Sequence, residues 1–300
     1  MKKVFVAGGV SYDRIIYMDN LPQGKAGTVF SSSSHDAVGG TGAGKSFNLE
    51  KLGFDTTFHA FVGEDEEGKI IKDSFSKKNI KFDAEKDENS TLRFTNLIDK
   101  NGNRISIFTA YNTFEPELNM EKFRKIIAEN DYIVLNIMNY ARYLIPLAKE
   151  AGKEIWCDIH DYDGKNEYYQ DFIEGADYIF MSSEVIEDYK TFMEELIKKG
   201  KKLVVCTHGK NGATAMNSSG EIVEEGIIKK YEKVDTNGAG DAFFSGFLYG
   251  VSNGKSLKEC VRYGTVAGGM CITSKKLYSE ELSSKKIEEE YSEWYGKMEG

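Results

Sequence analysis

"VDTNGAGDAFFSGFLYG", Val234–Gly250, reads as a tight polar turn running straight into an apolar helix. Asp235-Thr236-Asn237-Gly238-Ala239-Gly240 has turn composition, and Asp241–Tyr249 has helix composition. Ala242, Gly246 and Gly250 recur every four residues, a small-residue stripe that permits close packing. The N–H groups of Gly238, Ala239 and Gly240 open this helix and have no partners within it. Together with the helix dipole they make an anion hole. Asp241 stands in the first turn, where it either compensates the dipole, worth about 0.3–1 kcal/mol, or serves as a general base. Phosphoryl transfer to an alcohol needs both parts, donors for the phosphoryl charge and a carboxylate for the hydroxyl proton.

A second glycine stretch competes for the phosphate. In "AVGGTGAGKSFNLEKLGF", Ala37–Phe54, the segment Gly39–Ser46 fits the P-loop pattern G-x-x-x-x-G-K-[ST]. A P-loop needs a buried strand before it and a helix after it. Residues 46–52 read as a helix closed by Gly53. The upstream side, "FSSSSHDAVGG", is too polar for a buried parallel strand, and the first core strand is already spent at Val4–Ala7. The reading preferred is that Gly39–Ser46 lets a helix end approach the phosphate acceptor. The plainer alternative is that its glycines only let a helix begin close to a strand.

Working outward, Val4–Ala7 and Thr56–Val62 read as strands and Glu66–Lys78 as a helix. Thr91–Ile98 and Arg104–Ala110 alternate as strands about Asn101-Gly102, a strong hairpin turn. From Glu121 helices and strands alternate: helix Glu121–Asn130, strands Tyr132–Met138, Glu154–Asp158 and Tyr178–Met181, helix Glu184–Lys199, strand Lys202–Thr207. A hairpin over Thr214–Asn217 and Glu221–Val223 follows, then helices Ala239–Ser252, Ser256–Ser274 and Glu280–Lys297. This pattern predicts an α/β fold over 1–300, a doubly wound, mostly parallel sheet with helices on both faces. A small β-sheet lid is expected from residues 11–38 and 91–110, over the strand ends where ligands bind.

Composition bounds the function. The 300 residues are 40% hydrophobic and 29% charged, with a net charge of −9 and no basic block, which argues against nucleic acid as a partner. No stretch approaches the ~18 apolar residues of a membrane span. The N-terminal apolar run breaks at Gly8-Gly9, too short for a signal peptide, so a cytoplasmic location is expected. The four cysteines form no C-x-x-C pair, which argues against zinc.

"DTNGAGDAFFSGF" closely resembles the C-terminal signature of the PfkB, or ribokinase-like, carbohydrate kinases. Gly39-Gly40 and the helix ending "LEKLG" resemble that family's N-terminal signature. The resemblance runs through the whole chain. It implies an ATP- and Mg2+-dependent kinase acting on a hydroxymethyl group of a small sugar, with K+ as a further cofactor in several members. Asp241 then matches the catalytic base and Gly238, Ala239 and Gly240 the anion hole. Asp13 matches the aspartate that binds acceptor hydroxyls, and Gly39 and Gly40 the glycines beside the substrate. Gly44 and Lys45 fall on the same substrate side. Thr207, Gly209, Lys210 and Gly212 match the nucleotide loop, Glu184 the acidic residue near Mg2+, and Asp235 and Thr236 a monovalent-cation loop. The resemblance also implies a homodimer through the lid.

Two departures stand out. Gly44 and Thr41 occupy positions where ribokinases carry an Asn and a Lys, and Met181 replaces the Asn of the N-x-x-E element that ends in Glu184. The polar loop "CDIHDYDG", Cys157–Gly164, reads first as solvated, with Asp158, His160 and Asp161 reaching the phosphates or Mg2+ as the alternative. Three other functions stay open: a nucleoside kinase stacking a base on Phe94, Phe108 or Tyr111; a P-loop NTPase using Lys45 and Ser46; and a binding protein that lost turnover.

Overall fold

A computed structural model describes residues 1–296. In chain order its strands are β1 (Lys3–Ala7), β2 (Ser11–Met18), β3 (Ser33–Gly39), β4 (Asp55–Val62), β5 (Ile80–Lys86), β6 (Arg93–Asp99), β7 (Arg104–Ala110), β8 (Tyr132–Asn136), β9 (Ile155–Asp158), β10 (Tyr178–Ser182), β11 (Leu203–Thr207), β12 (Ala213–Asn217) and β13 (Ile222–Glu225). Its helices are α1 (Thr41–Lys51), α2 (Glu66–Phe75), α3 (Met120–Glu129), α4 (Ile145–Glu150), α5 (Gln170–Gly175), α6 (Tyr189–Lys198), α7 (Ala239–Ser252), α8 (Leu257–Cys271) and α9 (Ser284–Tyr295).

The large sheet has the order β13-β12-β11-β10-β9-β8-β1-β4-β5. From β5 to β11 every pairing is parallel, and β12 and β13 add an antiparallel edge. Both faces are buried, because successive side chains of a strand point to opposite faces. Val4 and Val6 of β1 join the core under α1, α7 and α8, whereas Phe5 and Ala7 join the core under α3, α4 and α6. The expected doubly wound sheet is therefore present. Gly246 and Gly250 do let α8 close on α7, since a Cβ on Gly246 would stand 2.5 Å from the Tyr263 carbonyl oxygen and one on Gly250 3.0 Å from Cys260 Cα.

A second, small sheet, β3-β2-β6-β7, is built from the two segments expected to form a lid. Strand β2 runs antiparallel to β3 and parallel to β6, and the β6–β7 hairpin turns at Asn101-Gly102, where Gly102 has φ 89°. Strand β7 forms an edge, exposed along nearly its whole length.

Several elements differ from the sequence reading. Helix α1 starts at Thr41 instead of residue 46, inside the glycine run. Helix α6 starts at Tyr189 instead of Glu184, capped by Asp188, whose carboxylate accepts the Thr191 N–H. Strand β5, "IKFDAEK", was not expected; it pairs with β4 as a charged sheet edge. The end of the last expected helix, Lys297, lies outside the described residues. No helix of the described residues is long and apolar enough to cross a membrane. The four cysteines are buried free thiols.

Candidate active site

All strands from β1 to β11 of the large sheet point the same way, so the loops after β1, β9, β10 and β11 share one edge. Helices α1 and α7 begin at that edge and pack side by side. At the start of α1 the glycines serve backbone proximity. Gly40 caps the helix with φ 93°, and a Cβ there would stand 2.6 Å from the Gly9 carbonyl oxygen. The N–H groups of Gly42 and Ala43 donate to that same carbonyl at 3.1 and 3.4 Å. Ser46 donates its hydroxyl to the Gly42 carbonyl at 2.7 Å. A P-loop would turn these donors toward phosphate. Here the chain uses them itself, and Gly42–Ser46 is helix, so the P-loop reading fails on geometry.

Lys45 is wholly buried. Its ammonium donates to Asp241 Oδ1 at 2.6 Å and to Asp158 Oδ2 at 3.0 Å. Asp158 ends β9 and also accepts the His160 N–H at 2.9 Å. Burial raises the cost of charge at all three groups. It pushes the Asp241 carboxyl above the usual range, with Lys45 opposing. Burial also acts on Asp158, but the His160 imidazole and Lys45 outweigh it and hold that carboxyl low. Lys45 is held protonated against its burial by the two carboxylates. The two carboxyls are thus shifted in opposite directions, and Asp241 has the higher proton affinity of the two.

Gly238, with φ 79°, caps α7, and a Cβ there would stand 2.9 Å from Leu277 Cα. Of the three N–H groups expected to be free, Ala239's donates to the Thr236 carbonyl at 3.2 Å, closing a tight turn. Gly240 is exposed, and a Cβ there would meet nothing within 4 Å. The α7 opening therefore faces free space beside Asp241, as an anion site requires.

Asp13 lies buried on β2. A Cβ on Gly39 would stand 2.0 Å from its Oδ2, and Asn96 Nδ2 of β6 is 3.4 Å from that oxygen. Oδ1 is buried without a hydrogen-bond partner, as is the nearby Ser11 hydroxyl. Burial pushes the Asp13 carboxyl up to about 6, against the opposing pull of Ser11, Asn96 and Arg104. An unpartnered buried carboxylate oxygen suits a hydroxyl donor.

Thr207 ends β11, and Gly209 and Gly212 follow with φ 53° and 101°. A Cβ on Gly212 would stand 1.9 Å from the Glu225 carbonyl oxygen, so its glycine also has a packing reason. Gly209 and Lys210 are exposed at the same edge. Glu184 is exposed on the loop after β10. A single open carboxylate fits Mg2+, which binds through one or two carboxylates plus phosphate oxygens and water. Among the described residues no three His, Cys, Asp or Glu side chains converge on a metal position. Asp235 is buried; its carboxylate accepts the Tyr17 hydroxyl of β2 in the small sheet and the Asn237 N–H at 2.8 Å. Thr236 is exposed, and its carbonyl accepts from Ala239, with one lone pair left for a cation.

The sequence reading missed the partners of these groups. Asp158 sits in the site instead of in solvent, and Lys45 faces carboxylates instead of open acceptor space. The available signal was Asp158 as the last residue of an apolar strand, a position aimed at the ligand edge.

Comparison with known proteins agrees with this architecture. A family model for pfkB family carbohydrate kinase matches residues 1–283. The chain is 27% identical over 274 residues to an acarbose 7(IV)-phosphotransferase of Actinoplanes sp., with 90% of this chain and 92% of that protein covered. Among solved structures it is similar to the microbiome-derived acarbose kinase Mak1, with 28% identity, a TM-score of 0.85, and 97% and 99% of the two chains covered. It shares its fold with the ribokinase of Arabidopsis thaliana complexed with ribose and ATP, at 20% identity and a TM-score of 0.81 over 97% and 99% of the chains.

Proposed function

The chain belongs to the pfkB family of carbohydrate kinases, and we propose that it moves the γ-phosphoryl group of ATP to a hydroxymethyl group of a sugar. The observation that carries this reading is Asp241 beside the open N-terminus of α7. Asp241 accepts the acceptor's hydroxyl proton, and the N–H groups of Gly238 and Gly240 stabilise the transferring group. Asp13 orients the acceptor through its unpartnered oxygen, with Gly39 and Gly40 keeping the backbone close. The loop from Thr207 through Gly209, Lys210 and Gly212 receives the nucleotide, and Glu184 holds Mg2+, which neutralises phosphate charge. A K+ ion at the carbonyls of Asp235 and Thr236 belongs to the same reading.

Residues 1–300 act as one kinase domain in this account. The lid excludes water that would otherwise hydrolyse ATP. Its exposed edge β7, with Ile105 and Ile107 open to solvent, supports a homodimer through the lid. Four buried free thiols support a cytoplasmic setting.

A second reading, a nucleoside kinase, draws on the aromatic surface of the lid. Phe94 and Phe108 lie 4.2 Å apart between ring centroids, and Phe108 and Tyr111 are within 4° of parallel. Such rings stack on a base or on the apolar face of a sugar. The relatives named for acarbose favour the sugar and put that oligosaccharide on the test panel. The experiment is ADP release from ATP across monosaccharides, acarbose, maltose and nucleosides, with Asp241→Asn as control. Sugar-dependent turnover that is lost in the control supports the reading. Turnover with nucleosides alone, or without any acceptor, sinks it.

A further inference from the structure

Lys45 is too deeply placed to be a surface charge and too well paired to greet a ligand. Its side chain has no solvent exposure, and its ammonium bridges two carboxylates from distant parts of the chain. Burying three charged groups is costly, and replacing such a cluster by apolar residues often stabilises a protein. The arrangement therefore calls for a purpose other than stability. From this geometry we infer that Lys45, shared with Asp158, is a positioning residue that keeps Asp241 ionised and turns one of its oxygens toward the acceptor. The inference rests on Asp241 being the base.

The two oxygens of Asp241 have different surroundings. Oδ1 accepts from Lys45. Oδ2 takes no hydrogen bond from Lys45 and packs against the backbone of Gly44, where a Cβ would stand 2.4 Å away and displace it. Oδ2 is thus the oxygen available to a hydroxyl. As the acceptor attacks, its O–H bond breaks and the proton passes to Oδ2. The new O–P bond forms, and the bond from phosphorus to the departing ADP breaks. Before transfer Lys45 faces two carboxylates; afterwards Asp241 is neutral and Asp158 still balances the lysine. No buried charge is orphaned at either stage.

Sharing also decides base strength. Lys45 bound to Asp241 alone would make that carboxylate a weaker base, and without the cation its burial would act unopposed and raise its proton affinity. The other titratable groups that act on or beside Asp241 are His160, whose Nδ1 lies 3.5 Å from Asp158, and the Cys271 thiol of α8. His160 is itself held at φ 51°, and its Nε2 is buried without a hydrogen-bond partner. Its Nδ1 approaches Oδ2 of Asp158, the oxygen that also accepts from Lys45.

The test is the pH profile of kcat at saturating acceptor and ATP, which reports the base in the bound complex apart from the acceptor-binding titration of Asp13. Lys45→Met removes the cation, and the acid limb should move up by about one to three pH units. Asp158→Asn leaves Lys45 wholly to Asp241, and the limb should move down by about one unit, with a lower plateau. Opposite shifts in two near-isosteric variants support the inference. Limbs that coincide with the wild type, or shifts in the same direction, in variants that melt cooperatively, overturn it. Should Lys45→Met not fold, Asp158→Asn alone carries the test. Asp241→Asn separates the two layers: if it retains wild-type kcat, the base assignment itself fails. If it is inactive while the limbs do not move, only the role of Lys45 fails.

Discussion

Gly44 of α1 lies directly against Asp241 of α7, so that a Cβ on Gly44 would stand 2.4 Å from the carboxylate oxygen Oδ2. The contact explains why a poor helix former sits within a helix. Gly44→Ala should improve local helix propensity by about 0.8–1.0 kcal/mol yet force the carboxylate aside. A displacement of about 1 Å is enough for a 10²-fold loss in rate. We expect kcat to fall by about that factor, with ATP KM little changed. Wild-type kcat in Gly44→Ala would mean that Asp241 need not hold its present position.

Asp241→Asn keeps the size of the side chain and can still accept from Lys45, but it does not take a proton. General bases contribute about 10²–10⁴-fold, and a loss of that size in kcat is expected. Isothermal titration with a non-hydrolysable ATP analogue should give nearly the wild-type Kd.

Asp13 predicts a pH effect with a definite sign. Its carboxyl is raised to about 6 in the folded chain, so between about 4 and 6 the native state holds a proton that the unfolded state has lost. Stability from this group is therefore present at low pH and falls as pH rises through that window. Asp13→Asn should raise the melting temperature at pH 7.5 and leave it nearly unchanged at pH 4. In the wild type the ionised carboxylate accepts the hydroxyls, so acceptor KM should fall as pH rises through about 6. A flat acceptor KM across that range would remove Asp13 from acceptor binding.

The Tyr17 hydroxyl joins the small sheet to the turn before α7 by donating to Asp235. Burial and that carboxylate push the phenol well above its ordinary range, so it stays a donor at every working pH. Tyr17→Phe loses a hydrogen bond to a charged group, worth about 1.5–3 kcal/mol. Hydrogen exchange should rise in β2 and β3 with the large sheet unaffected. Equal exchange in both proteins would show that the lid is held by other contacts.

Much of the fold was legible because the buried strands are nearly pure apolar runs. "VFVA" at Val4–Ala7 and "LVVCT" at Leu203–Thr207 admit few other readings. The lid hairpin was legible through Asn101-Gly102. Strand β5 was hidden by its charges, which an edge strand tolerates and a central one does not. The start of α1 was hidden because Gly42 and Gly44 disfavour helix, whereas the Gly9 carbonyl supplies a tertiary cap that no local rule contains. Lys45 shows the limit most sharply. Its partners are 113 and 196 residues away in sequence, so its spacing in the chain carried no trace of the pairing.

One stretch of backbone touches both carboxylates proposed to handle the acceptor: Gly39 abuts Asp13 and Gly44 abuts Asp241. The span from Gly39 to Gly44 therefore acts as a gauge block set between the acceptor's anchor and its reacting end. Its length is fixed by the last residue of β3, one cap residue and the first turn of α1, so the inner strands of the small sheet belong to the gauge. An acceptor is measured by the reach from its anchored hydroxyls to the hydroxyl that reacts. What lies beyond that reach, toward the lid, is free to vary in size. Substitutions in the outer strand β7 should then change which molecules enter while leaving unchanged which hydroxyl is phosphorylated.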